Sequence, residues 1–156
     1  MIANDVLRGV RYALDLSDAA IVDTMRLADP DVRAERADVP GWLTKEEDDG
    51  FVQCPDPMLA RFLDGLIVHY RGRDDARPLP APPPRLDNND VLKKLRVAFT
   101  LKDVDLHEVF EAGGFPLSKA ELSALFRQPG HANYRPCGDQ LLRAFLRGLA
   151  RKLRGG

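Results

Sequence analysis

The chain repeats itself, and for a sequence of 156 residues no other feature narrows the choice of fold as much. Residues 4–18 align with residues 89–103 at an offset of 85, and eight of these 15 positions are identical. A second block, Phe51 to Gly72, aligns with Tyr134 to Gly155 at an offset of 83. There Cys54, Asp56, Leu59, Phe62, Leu63, Gly65, Leu66, Arg71 and Gly72 recur as Cys137, Asp139, Leu142, Phe145, Leu146, Gly148, Leu149, Arg154 and Gly155. Two blocks in the same order at nearly the same spacing mark a duplicated unit of about seventy residues. The offset shrinks by two between the blocks, which puts the net loss in a loop in the middle of the unit.

The copies occupy residues 1–73 and 88–156, joined by residues 74–87. Five of the chain's 12 prolines lie between Arg73 and Arg85. Proline fixes φ and removes a backbone donor, so this stretch reads as an extended, semi-rigid connector. A ligand for a proline-recognising domain is the less specific reading.

Apolar residues recur at helical spacing within each copy. Val6, Leu7, Val10 and Leu14 form one stripe, with Asn4 or Asp5 as the expected cap, as Asn89 would be in the second copy. Asp18 is expected to cap a short second helix carrying Ile21, Val22 and Met25. Its counterpart, with Asp103 as cap, carries Leu106, Val109 and Phe110 and stops at Gly113-Gly114. Ser118-Lys119-Ala120-Glu121 has the form of a capping box and opens a third helix with Leu122, Leu125 and Phe126. In the first copy Pro40-Gly41 interrupts that helix, so it bends or starts late. The last helices are the plainest: Leu59, Phe62, Leu63, Leu66, Ile67 and Tyr70, then Leu142, Phe145, Leu146, Leu149 and Leu153, with Asp56 and Asp139 as expected caps. Gly65 and Gly148 sit mid-helix at equivalent places. A glycine there costs about 1 kcal/mol relative to alanine, so another backbone should approach closely. No alternating strand pattern competes. The expected fold is all-α: two homologous repeats of about four helices each, related by a pseudo-twofold axis.

At these residues the chain resembles the YehS family. Asn4-Asp5-Val6-Leu7-Arg8 with Arg11-Tyr12, Trp42-Leu43 with Lys45-Glu46, Gly50-Phe51 and Cys54-Pro55-Asp56 are similar to the first half of that family. Asn88-Asn89, Val91 to Arg96, His131 with Asn133, Cys137-Gly138-Asp139-Gln140 and Phe145 to Leu149 are similar to its second half. The resemblance runs from Ile2 to Leu153. The family comprises bacterial proteins of this length with a tandem domain of unknown function. It implies a duplication and a bacterial cytoplasmic setting, and carries no activity with it. Val39-Pro40-Gly41 departs from the family pattern, which bears on the third helix of the first copy alone.

Charge and composition exclude several classes. Lys+Arg 23 against Asp+Glu 24 leave a net charge of -1, which fits neither a uniformly basic nucleic-acid coat nor an acidic disordered tail. No run approaches the roughly 18 apolar residues of a membrane span. The N-terminal residues lack the basic-then-apolar order of an export signal. Two cysteines are too few for a disulfide scaffold and fit a reducing cytoplasm.

Catalysis finds little in the polar residues. Cys54 and Cys137 each precede an expected helix cap by two residues, where a thiol's pKa can fall. Free cysteine is nonetheless among the most buried residue types. Packing is the expected role, with a reactive or disulfide-forming pair as the exception. His69, His107 and His131 show no paired metal-ligand spacing, and no glycine-rich loop is built to cradle a phosphate. No metal or cofactor is expected. Glu46-Glu47-Asp48-Asp49 reads as a solvated loop.

The charge is unevenly placed. Residues 1–84 hold 10 Lys+Arg and 16 Asp+Glu, net -6, while residues 85–156 hold 13 and 8, net +5. Arg143, Arg147 and Arg151 step by four along the final helix, with Lys152 and Arg154 beyond. The first copy has Ala60 and Asp64 where the second has Arg143 and Arg147. Such a stripe suits contact with an RNA or DNA backbone through counterion release, although no stacking aromatics accompany it. Cations near a helix C-terminus, or attraction between oppositely charged halves, account for it equally well. Arg11 and Arg96 lie on the first helix of each copy, expected to hold a helix-end carboxylate such as the Asp of the last helix, or else to mark a repeated binding edge. The loop from Gly130 to Arg135, with His131, Asn133 and Arg135, is the other candidate recognition surface. The expected function is non-enzymatic binding of RNA or DNA through the basic repeat. The alternative is a protein-interaction or self-associating, homodimeric module, with an enzyme a distant third and no membrane partner.

Overall fold

A computed structural model describes residues 1–73 and 79–155, so part of the connector, 74–78, lies outside the described residues. The chain adopts the expected all-α fold, with four α-helices per copy among the described residues. The first copy contains α1 (Ala3–Leu14), α2 (Asp18–Ala28), α3 (Val39–Leu43) and α4 (Asp56–Arg71). The second contains α5 (Asn88–Ala98), α6 (Asp103–Ala112), α7 (Lys119–Leu125) and α8 (Asp139–Arg154). A 3-10 turn at Arg36–Asp38 leads into α3, whose first turn holds Pro40. Proline is tolerated there because no intrahelical partner exists for its missing donor, and the third helix therefore starts late.

The repeats exchange their first helices. Within a repeat, α2 packs on α4 and α6 on α8, but α1 lies along α8 and α5 lies along α4. Both cross-repeat pairs are parallel. The Met1 nitrogen meets Asp139 at the start of α8 at 2.7 Å, and Arg154 near its end donates to the Tyr12 carbonyl at 2.8 Å. At the equivalent places Leu86 N donates to Asp56 at 2.9 Å, and Arg71 donates to Thr100 Oγ1 at 2.8 Å. Parallel neighbours cannot be joined by a tight turn. The 16-residue α4 is about 24 Å long, and the chain must return along all of it before α5 begins. The described part of the connector, residues 79–87, lies on that return: Arg61 donates to the Pro80 carbonyl at 3.3 Å, and Leu86 reaches the start of α4.

One hydrophobic core serves both repeats, with Leu7, Ile21, Phe62 and Leu63 from the first and Leu92, Phe110, Phe145 and Leu149 from the second. The mid-helix glycines have the close neighbours anticipated for them. A Cβ on Gly65 would lie 1.8 Å from the Thr24 carbonyl oxygen, and one on Gly148 1.8 Å from that of Val109.

Several expected caps are corrected. Asn4 and Asn89 do not cap their helices; both are buried, 0% and 4% exposed, and tie helix to loop. Asn4 accepts from Cys54 N at 2.7 Å and donates to the Val52 carbonyl at 2.8 Å. Asn89 accepts from Cys137 N at 2.8 Å and donates to the carbonyls of Leu125 and Arg135, both at 3.0 Å. Asp5 closes the start of α1 from within, accepting from Ile2 N, and the N-cap of α5 is Asp87. Ser17, not Asp18, caps α2. Asp103, Asp56 and Asp139 are the first residues of α6, α4 and α8, and the latter two are spent on the cross-repeat bonds.

Candidate functional site

The two parallel pairs differ in residue type at the C-terminal halves of α1 and α8. An apolar-floored groove of about 440 Å³ opens there, lined by Gly9, Tyr12, Leu146, Arg147, Ala150, Arg151 and Arg154. Gly9 is half-buried and Ala150 buried at the seam, and Gly9 brings its backbone against Leu146, whose Cδ1 a Cβ would meet at 3.2 Å. Three arginines stand on the rim because α8 presents residues 147, 151 and 154 on one face. None dangles. Arg147 donates through Nε and Nη2 to the Gly113 carbonyl at 3.0 and 2.6 Å, and Arg151 donates to that of Ala112. Both thus complete the C-terminus of α6, where orphan carbonyls carry partial negative charge. Arg154 does the same for the end of α1 and lies over the Tyr12 ring at 4.4 Å. A guanidinium carries five donors, so each arginine keeps free N–H groups after this capping.

The remaining candidates are dispersed. Arg143 is exposed, but its concavity is shared with Asp5, Arg8, Lys45, Glu46 and Glu47, so the basic stripe does not continue onto the N-terminal half of α8. Arg96 bonds the Leu101 carbonyl at 3.2 Å and Asp103 at 3.0 Å, and covers the Phe126 ring at 4.8 Å. Its carboxylate partner is therefore at the start of the second helix of its repeat, not the last. Arg11 is half-buried, and its Nε has no hydrogen-bond partner among the described residues. The expected Arg11 ion pair is absent there. His131 is exposed and accepts from Asn133 N at 3.0 Å; it shares a shallow depression with Arg96, Asp103 and Arg127. Asn133 and Arg135 lie in a neighbouring one with Lys119 and Glu121, where Arg135 meets Glu121 at 3.5 Å. Arg147 and Arg151 share the α1/α8 groove, whereas Arg96 and His131 share their depression with Leu122 and Phe126, and Asn133 and Arg135 share theirs with Ala120 and Ala124. Gly9, Tyr12, Ala150 and Arg154 were not singled out as site residues; the signal for them is the alignment of the copies, in which Gly9 faces Lys94.

The thiols are placed for packing. Cys54 and Cys137 are buried and unpaired. Burial first, then the Asp56 charge, pushes the Cys54 thiol up to about 12. Burial likewise pushes Cys137 up to about 12, against the lowering influence of Arg135. Desolvation thus outweighs the helix N-terminus, and the thiolate is not the resting form. Among the described residues no group of three or more His, Cys, Asp or Glu is placed to hold a metal ion. No described helix is long and apolar enough to cross a membrane.

The duplication is also visible in the comparison with known protein families. The family described as "Protein of unknown function (DUF1456)" matches residues 3–72 and 88–155, one match per repeat, and this chain belongs to it. The "Uncharacterized protein YehS" of Escherichia coli (strain K12) is 46% identical over 150 residues, covering 96% of this chain and 95% of the relative. The resemblance drawn from the sequence is thereby borne out. No solved structure matches.

Proposed function

We propose that this chain is a non-enzymatic binding module of a reducing, cytoplasmic setting, and that its basic repeat docks an acidic polypeptide. The observation that supports this most is the pairing of three held guanidiniums with an apolar floor in a single groove. A phosphate backbone has no use for an apolar floor, and the one aromatic ring lining the groove, Tyr12, already carries Arg154 over one face. Carboxylates beside aliphatic side chains use both parts of the groove.

Nucleic-acid contact is the second reading, favoured by exposed Arg143 and the net charge of +5 on residues 85–156. A salt titration separates them. The full chain is tested against a labelled random copolymer of Glu and Leu and against poly(U) RNA. The proposal expects retention on the copolymer. Retention on poly(U) alone, weakening steeply with salt and with a slope reduced in Arg143→Ala plus Arg147→Ala, would replace it with the nucleic-acid reading. A sedimentation series at rising protein concentration detects the case in which the acidic repeat of a second copy is the partner.

A further inference from the structure

The duplication supplies an internal comparison for the groove. At the α4/α5 junction the place equivalent to Gly9 is Lys94, and that equivalent to Arg147 is Asp64. Lys94 Nζ meets Asp64 at 2.6 Å, and Asp64 is only 3% exposed. Arg61 approaches the same carboxylate at 3.8 Å. The places of Ala150 and Arg151 are held by Ile67 and Val68. One junction is thus closed by an ion pair and larger aliphatic side chains. Its twin has neither member of that ion pair, carries Gly9 and Ala150 at the places of Lys94 and Ile67, and has Arg147 at the place of Asp64. Four differences thus fall together at one seam: Gly9 for Lys94, Arg147 for Asp64, Ala150 for Ile67 and Arg151 for Val68.

Resting on the function proposed above, we infer that the α1/α8 groove is a specific docking site for an acidic segment that inserts an aliphatic side chain between Gly9 and Ala150 and sets its carboxylates on Arg147, Arg151 and Arg154. A groove of about 440 Å³ is of the size that takes one or two aliphatic side chains with a flanking carboxylate. The guanidiniums are already held by the carbonyls of Gly113, Ala112 and Tyr12, so little side-chain freedom is lost when a carboxylate arrives. Gly9 and Ala150 act as the gate that admits the anchor, and the α4/α5 junction is its closed counterpart.

The test copies the closed junction onto the open one. Fluorescence anisotropy with the full chain uses a labelled peptide of alternating Glu and Leu, with Gln–Leu and Glu–Ser peptides as controls. The wild type is expected to bind the Glu–Leu peptide at least tenfold more tightly than either control. Gly9→Lys with Arg147→Asp is expected to weaken that binding at least tenfold. Ala150→Ile, which adds only the bulk the twin already carries as Ile67, is expected to do the same and decides the matter if the double variant fails to fold. Undiminished binding to a folded closing variant overturns the groove and leaves the binding of acidic polypeptides standing. Failure of the wild type to bind the Glu–Leu peptide while it retains poly(U) overturns both.

Discussion

Replacing Asn89 by alanine should be among the most damaging single changes in the chain. Its side chain accepts from Cys137 N at 2.8 Å and donates to the carbonyls of Leu125 and Arg135 at 3.0 Å each. Alanine leaves the backbone partners in place with nothing to bond. An abandoned buried donor or acceptor costs about 1–3 kcal/mol. The Cys137 and Leu125 bonds are buried, whereas water can reach the Arg135 carbonyl, so two such penalties apply and the loss is about 2–6 kcal/mol. For a chain of this length each kcal/mol lowers Tm by about 2–4 °C. The expected fall is thus about 4 °C at the least and above 10 °C at the centre of the range. Thermal and urea unfolding of Asn89→Ala measure it. Asn89→Asp separates bonding from packing: it keeps the shape and an acceptor for Cys137 N, but sets a carboxylate against two carbonyl oxygens. It should therefore be no more stable than the alanine variant. A loss below about 1 kcal/mol in either variant would refute the tether, because one made hydrogen bond alone contributes that much.

Three further outcomes follow from particular contacts. Gly148→Ala gains about 1 kcal/mol of helix propensity but sets a Cβ 1.8 Å from the Val109 carbonyl, so a net loss of about 2 kcal/mol or more is expected in urea unfolding. Thr100 sits at φ 52, which a β-branched residue tolerates poorly, and Thr100→Gly should raise stability by up to about 1 kcal/mol despite losing the exposed bond from Arg71. The Asp139 carboxyl is held below the usual carboxylate range, first by the hydrogen bond from the Met1 nitrogen and then by Asn88. A carboxyl depressed in the folded state stabilises above its unfolded pKa of about 3.9 and loses that contribution as pH falls through the folded value. Asp139→Asn should therefore differ from wild type in denaturant midpoint at pH 6 and converge on it towards pH 2.

The architecture was legible because it was written twice. Helical periods in Val6 to Leu14 and Leu59 to Tyr70 have counterparts one repeat later, and Gly65 with Gly148 announced a close backbone approach that the structure contains. The exchange of first helices was not legible, since an apolar stripe states that a face is buried and not against which partner. Asn4 and Asn89 show the same limit. An Asn at a helix start fits a cap by local chemistry, and only the tertiary return of Cys54 and Cys137 reveals its use. For the site, counting cations found Arg147 and Arg151 but missed the floor beneath them. Gly9 and Ala150 matter through what they lack, and that absence shows only beside Lys94 and Ile67.

The groove can be observed directly by following backbone amide resonances of the ¹⁵N-labelled full chain during titration with the Glu–Leu peptide. Shifts concentrated at Gly9, Tyr12, Ala150, Arg151 and Arg154, with Lys94, Asp64 and Ile67 unmoved, are the predicted result. Equal shifts at the two parallel junctions, or shifts confined to residues 127–135, would contradict it.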